Sequence, residues 1–256
     1  MIDFTSSLYL GLRHSKAQLD SWGALTLGRP AALEEPPGAV EVAAGLARLQ
    51  GVPSAMMLPS TLHLFWDLLN VLRRTGKMAV LLDGGAYPIL RWAAETGGDQ
   101  AAHTFGHYDV GSLARLAAGV ARSGRRPIVV TDGFCPGCNR SAPLRAYAEI
   151  VRQHSGWLVL DDTQAVGILG SDWTADCPFG TGGGGSLRYH GIGGEFIVVG
   201  ASLAKGFGAP LAMLGGSQSL LHRFTNESRV RLRCSPPSVA EDADAHYRRS
   251  QRHESE

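Results

Sequence analysis

One lysine sits in a run of small residues, Gly200-Ala201-Ser202-Leu203-Ala204-Lys205-Gly206-Phe207-Gly208, directly after an apolar stretch at 196–199. Held between a strand and a Gly-rich turn, the amine of Lys205 is expected to lose part of its hydration. That lowers its pKa and favours the free base that attacks an aldehyde. Two further apolar stretches also end in reactive groups: 127–131 runs into Asp132-Gly133, and 157–160 into Asp161-Asp162-Thr163-Gln164. A carboxylate such as Asp161 at a neighbouring strand end suits a protonated pyridine nitrogen, which keeps the ring an electron sink for a carbanion. Ser202, three residues before the lysine, offers a hydroxyl to a phosphate. The turn Pro59-Ser60-Thr61-Leu62 before a helical segment offers backbone N–H groups. Amine, carboxylate and phosphate cradle together describe a site for pyridoxal 5'-phosphate (PLP), with Lys205 holding it as a Schiff base. Each residue alone has an ordinary reading beside this one. Lysines are mostly solvated surface charges, and Asp161, Asp162, Ser60 and Thr61 could simply cap the elements that follow.

The elements that must position these groups follow from periodicity. Residues 78–82, 127–131, 157–160 and 196–199 are short, rich in Val, Ile and Leu, and followed by Asp or Gly, as buried parallel strands are. Residues 40–49, 62–73 and 144–153 have helical period, with Leu144, Tyr147, Ile150 and Val151 on one face of the last. Repeated strand and helix predict a three-layer αβα sandwich around a mostly parallel sheet, whose ligands bind at the carboxyl ends of the strands.

Composition agrees with a small-molecule protein. The 256 residues are 44% hydrophobic, enough for a full core, and 24 Lys and Arg against 23 Asp and Glu leave a formal net charge of +1. That balance gives no field to attract nucleic acid or an anionic membrane. The N-terminus lacks a cationic segment followed by an apolar one, and no apolar run reaches the roughly 18 residues of a membrane span. A cytoplasmic location is expected, with reduced thiols, because four cysteines do not make a disulfide framework in a chain this long.

Two other patterns invite chemistry and are set aside. Cys135-Pro136-Gly137-Cys138 has metal-ligand spacing, but neither a second cysteine pair nor a histidine pair follows to complete a set, so no metal is expected. His103 and His107 flank Gly106 in a stretch without helical period and are read as scattered polar residues. Gly180-Thr181-Gly182-Gly183-Gly184-Gly185-Ser186 matches a dinucleotide-binding pattern only formally, since no strand precedes it. It is expected to be a flexible, solvated loop, with Arg188 a conceivable anion grip.

Taken in order, several motifs resemble the alpha-oxoamine synthase family. Asp3-Phe4-Thr5-Ser6-Ser7-Leu8-Tyr9-Leu10-Gly11-Leu12 is similar to that family's opening segment, with Ser7-Leu8 where Asn-Asp is usual. Thr131-Asp132-Gly133, Ala142-Pro143-Leu144, Leu160-Asp161-Asp162, Ala165-Val166-Gly167-Ile168-Leu169-Gly170, the Lys205 run and Ser235-Pro236-Pro237 then follow in the family's order, spanning nearly the whole chain. The resemblance implies the large domain of PLP fold-type I, the aspartate aminotransferase-like fold. It implies an acyltransferase that condenses an amino acid with an acyl thioester and releases carbon dioxide, working as a homodimer on small molecules. It assigns Lys205 and Asp161 the catalytic positions. Ser202, Ser60, Thr61 and Leu62 would hold the phosphate, Asp132 would belong to the cofactor site, and Tyr87 would stand where a stacking His is usual.

Departures from the family qualify what it implies. Gln164 replaces a His near the cofactor phenolate oxygen; it still donates a hydrogen bond but does not titrate. Some fold-type I lyases and desulfurases share this Asp-x-x-Gln spacing, though they tend to carry His where Ala204 stands. The aminotransferase pattern Asn-Pro-x-Asn-Pro-Thr-Gly is absent, which weakens transamination. The family's small C-terminal domain, with its substrate-gripping Arg, is expected to be missing, since residues 243–256 are mostly charged and polar. The chain is therefore divided into an N-terminal segment 1–35, a PLP-binding large domain 36–235 and a truncated polar tail 236–256. A cofactor-binding protein without activity is the third reading.

Overall fold

The computed structural model describes residues 7–12, 29–33, 35–36, 38–96 and 101–237. Most of the tail 236–256, residues 3–6 of the opening motif and residues 13–28 of the N-terminal segment lie outside the described residues.

Seven strands form one sheet: β1 (Ser54–Leu58), β2 (Met78–Asp83), β3 (His103–Phe105), β4 (Arg126–Asp132), β7 (Trp157–Asp161), β8 (Ile197–Ser202) and β9 (Ala212–Gly216). Their order is β1-β9-β8-β7-β4-β2-β3. The five strands from β8 to β3 run parallel, while β9 is antiparallel to both β8 and β1. A separate two-stranded hairpin joins β5 (Phe134–Cys135) to β6 (Arg140–Ser141). The four strands expected from sequence are β2, β4, β7 and β8. β1 and β9 carry Met, Ala and Gly rather than β-branched residues, and β3 has three residues, so none of them presents the expected signal.

Both faces of the central strands are covered. Val80, Val130, Val159 and Val198 face one core, while their neighbours Leu81, Val129, Leu158, Leu160 and Val199 face the other, as the period-two geometry of a strand requires. The first core is closed by α2 (Thr61–Arg73), α3 (Pro88–Glu95) and α8 (Gln218–Glu227). The second is closed by α4 (Val110–Arg122) and α5 (Leu144–Gln153). A third cluster packs α1 (Ala39–Gln50) on Met57, Met213 and the segment from Leu203 to Leu211. The three-layer αβα arrangement is the one expected. Among the described residues no helix is long and apolar enough to cross a membrane.

Helix α2 comes unusually near the sheet. Gly200 makes this possible, because a Cβ there would meet Phe65 Cζ at 2.7 Å and Leu64 Cδ2 at 2.9 Å. The first residue of the lysine motif is thus small for packing, and the close approach brings the start of α2 over the carboxyl ends of the strands.

The stretch 180–186 corrects the expectation of a solvated loop. Thr181 bridges to Ser171 and Gly184 to Val166, and Gly185 and Ser186 are buried at the start of α6 (Gly185–His190). The anchor is Asp162, whose carboxylate accepts from Ser186 N at 3.0 Å and from Gln50 Nε2 at 3.3 Å. The glycines serve close packing. Gly185 has φ +81° and lies against the Asp162 carboxylate, where no side chain fits.

Candidate active site

Four connections converge at the carboxyl edge of the sheet. β4 ends at Asp132, β7 at Asp161, β8 at Ser202, and β2 leads through Gly84 and Gly85 to Tyr87 at the start of α3. Ser202 closes β8 and caps the single turn α7 (Leu203–Gly206), accepting from Ala204 N, and this turn presents Lys205. A cavity of about 410 Å³ opens there. Of the nine residues expected at the site, Lys205, Asp161, Gln164, Ser202, Thr61, Tyr87 and Asp132 line it.

Ser60 and Leu62 are not among the lining residues. Ser60 is the N-cap of α2, its hydroxyl accepting from His63 N and lying 2.8 Å from His63 Nδ1, and Leu62 faces solvent. The ordinary reading of Ser60 as a cap therefore describes what its side chain does. Thr61 lines the cavity, and the first N–H groups of α2 have no intrahelical acceptor. Arg188 also lies elsewhere: Nε donates to Leu49 O and Nη2 to Arg48 O, tying α6 to the end of α1. It grips backbone, not a free anion.

Asp132 and Asp161 are register partners on adjacent strands, and both are buried. Burial pushes both carboxyls up. For Asp132 the neighbouring Asp161 adds to burial, the Tyr87 backbone N–H opposes it, and the result is about 7. For Asp161 the effect of burial is opposed by hydrogen bonds from Thr163 and by the charge of Lys205. Thr163, unremarked in the sequence, is the connector: its N–H donates to Asp161 Oδ1 at 3.0 Å, and its Oγ1 accepts from Ser202 N at 2.9 Å. An Asp-x-Thr turn after a strand was the available signal.

Tyrosine rings flank the lysine. Lys205 Nζ is 5.8 Å from the Tyr87 ring centre and 5.9 Å from that of Tyr9. Tyr9 N donates to Lys205 O, and Tyr9 OH donates to Gln164 Oε1. Tyr87 is in turn fixed through its backbone, N donating to Asp132 Oδ2 at 2.9 Å.

The site fits PLP by the chemistry of its donors. A half-buried amine faces a buried carboxylate across a cavity that also holds an exposed aromatic face, the hydroxyl residues Thr61, Thr163 and Ser202, and a helix start. A second cluster was missed. His107, set aside as a scattered polar residue, lies with Nε2 3.3 Å from Cys138 Sγ and Nδ1 2.6 Å from Asp83 Oδ1. Spacing along the chain could not show this, because β3 and the β5–β6 hairpin meet only through the sheet.

No family model matches the chain. Curated relatives do. An 8-amino-7-oxononanoate synthase from Methylococcus capsulatus is 30% identical over 267 aligned residues, 94% of this chain and 61% of that protein. One from Thioalkalivibrio sulfidiphilus is 30% identical over 145 residues, 56% of this chain and 34% of its own length. Among solved structures, a serine palmitoyltransferase from S. paucimobilis superposes with a TM-score of 0.76 at 16% identity, covering 90% of this chain and 56% of that one. The 8-amino-7-oxononanoate synthase of Francisella tularensis does so at 0.73 and 16%, covering 98% and 68%. By architecture the chain is the large domain of fold-type I. In sequence the chain is similar to 8-amino-7-oxononanoate synthases, over 94% of its length for the Methylococcus protein, in keeping with the alpha-oxoamine synthase resemblance of its motifs. It spans between 34% and 61% of the two curated relatives named.

Proposed function

We propose that the chain binds PLP at Lys205 and acts as an acyltransferase that condenses an amino acid with an acyl thioester. The amino acid loses its carboxylate as carbon dioxide, the acyl carbon bonds to its α-carbon, and the thiol leaves. The observation that carries this reading is the placement of Lys205 and Asp161 on one cavity, linked through Thr163 and Ser202.

When bound, PLP supplies an electron sink for the substrate carbanion. The residues divide the remaining work. Lys205 Nζ would hold the cofactor and would move the proton at the substrate α-carbon. Asp161 would keep the pyridine nitrogen protonated, its burial strengthening a charge-assisted bond there. Ser202 and the first turn of α2 hold the phosphate, with Thr61 at the cavity wall. Tyr87 would stack on the cofactor ring, and Asp132 positions Tyr87 through its backbone N–H. Gln164 already accepts from Tyr9 through Oε1, which leaves its amide N–H groups for the cofactor phenolate oxygen. The names of the relatives favour an 8-amino-7-oxononanoate synthase-like reaction. A homodimer and a cytoplasmic location belong to the same reading.

A lyase or desulfurase is the second reading, favoured by Gln164 where a titrating His would serve the condensation. A visible absorption band on adding PLP, absent in Lys205→Ala and removed by borohydride, tests the binding. Release of free coenzyme A from acyl-coenzyme A plus amino acid supports the acyltransferase. Release of sulfide or an aldehyde instead supports the second reading, and no band in the unmodified protein sinks both.

A further inference from the structure

Cys135, Cys138 and His107 offer their ligand atoms within 4.8 Å of one another. The two thiols belong to a tight hairpin: Cys135 ends β5, Cys135 pairs with Arg140 of β6, and the turn is closed with Asn139 at φ +53°. Cys138 N donates to Cys135 Sγ at 3.4 Å, so the backbone already aims a donor at that sulfur. His107 arrives from the loop after β3 and lays Nε2 3.3 Å from Cys138 Sγ. Asp83, whose side chain is 1% exposed, takes the other ring nitrogen at 2.6 Å.

That last contact decides what the imidazole can do. With Nδ1–H donated to Asp83, Nε2 keeps its lone pair and points it at the thiols, the carboxylate–histidine pairing that orients metal ligands. Asp83 is itself held by Gly85 N at 2.7 Å and Tyr108 N at 3.2 Å, so the ring has little freedom to turn away. Zinc bonds of about 2.3 Å to sulfur and 2.0–2.1 Å to nitrogen, set tetrahedrally, put ligand atoms roughly 3.5–3.8 Å apart. His107 Nε2 and Cys138 Sγ are already near that separation at 3.3 Å, and no pair of the three must close by more than about 1 Å. Two thiolates and one imidazole suit zinc over magnesium or calcium, which prefer oxygen.

We propose that His107, Cys135 and Cys138 bind zinc, with solvent in the fourth position, and so clamp the loop after β3 to the β5–β6 hairpin. Binding releases the two thiol protons to water. Two thiolates neutralise the ion, and Arg140 beside Cys138 offsets Asp83 beside His107. The clamp bears on the cavity because Cys135, Pro136 and Gly137 form one wall and Gly85 to Tyr87 another. The site is independent of the reading of Lys205.

The experiment uses the full chain, reduced and without PLP. Cobalt(II) added to the metal-free protein is expected to give thiolate-to-metal charge transfer and the intense visible bands of tetrahedral cobalt, and zinc is expected to bleach both at one equivalent. Cys138→Ser and His107→Asn are expected to remove the tetrahedral signature, with circular dichroism reporting that they remain folded. Asp83→Asn is expected to weaken zinc by about 10–100-fold, and Cys177→Ser, outside the cluster, to leave it unchanged. The proposal is overturned if cobalt binds without thiolate bands, or if Cys177→Ser weakens zinc as much as Cys138→Ser. It is equally overturned if Cys135 and Cys138 are found joined as a disulfide that zinc does not prevent.

Discussion

Asp132 and Asp161 face the same cavity from adjacent parallel strands, paired in register at the ends of β4 and β7 and both buried. Two carboxylates so placed resist ionising together. The structure separates their tasks through their partners. Asp132 is tied to the backbone of Tyr87, while Asp161 is bound by Thr163 and sees the charge of Lys205. On the proposed reading, a cationic ring nitrogen beside Asp161 would relieve the pair.

The pair makes the cofactor-free protein sensitive to pH. Burial first, and Asp161 second, raise Asp132 from an ordinary 3.8 to about 7. Between those values the folded chain holds a proton that the unfolded chain has released. The stability this group contributes is therefore full below about pH 4 and lost as pH rises through 7. Thermal melts of wild type and Asp132→Asn are expected to coincide near pH 4 and to diverge by pH 8, with the variant more stable. Parallel melting curves across that range would refute the assignment.

Asp161→Asn is expected to keep the fold and to lose cofactor affinity. The substitution exchanges a charge-assisted hydrogen bond for a neutral one, a difference of about 1–1.5 kcal/mol, or roughly five- to tenfold in the dissociation constant of PLP. Titration followed by visible absorption measures this. An unchanged affinity would remove Asp161 from the site. A drop in affinity with wild-type melting temperature separates the role from general damage.

The sheet and the meeting of Lys205, Asp161 and Asp132 at one cavity were legible because their signals are local. Val-rich strands, small residues around Lys205 and Asp after a strand each state their purpose within about ten residues. β1 and β9 were silent, because Met-Met-Leu and Leu-Gly-Gly owe their strand state to pairing with each other. Thr163 was passed over although it joins Asp161 to Ser202. The role of His107 depends on a carboxylate one strand away, and no spacing rule reaches across a sheet. The glycines at 180–186 misled for a related reason: the close packing of Gly180 on residues 170–171 and of Gly185 on Asp162, and the positive φ of Gly180, Gly182, Gly183 and Gly185, imitate the composition of a flexible linker.

Asp162 is expected to control whether that stretch stays folded. It is fully buried, burial lifts it to about 7, and its hydrogen bonds from Ser186 only partly oppose the rise. Asp162→Ala leaves Ser186 N and Gln50 Nε2 without their acceptor, a cost of about 1–3 kcal/mol for a buried unpaired donor. Hydrogen exchange across residues 181–190 is expected to quicken in this variant and to stay near wild type in Asp162→Asn, which mimics the protonated acid. Equal protection in both variants would show that the glycine contacts alone hold the segment.

Gly200→Ala tests whether packing or chemistry requires the small residue before the lysine. The added Cβ would lie 2.7 Å from Phe65 Cζ and 2.9 Å from Leu64 Cδ2, both fully buried on α2. Overpacking of this kind costs roughly 1–3 kcal/mol, and relief requires α2 to move away from β8. Since Thr61 at the start of α2 lines the cavity, such a shift is also expected to weaken phosphate binding. Pairing Gly200→Ala with Phe65→Leu is expected to restore part of the melting temperature, because the two changes share one contact and are non-additive. Recovery of PLP affinity along with stability in the double variant would show that the helix, held close by a missing side chain, sets the position of the phosphate cradle. Additive losses in both quantities would place the cradle elsewhere.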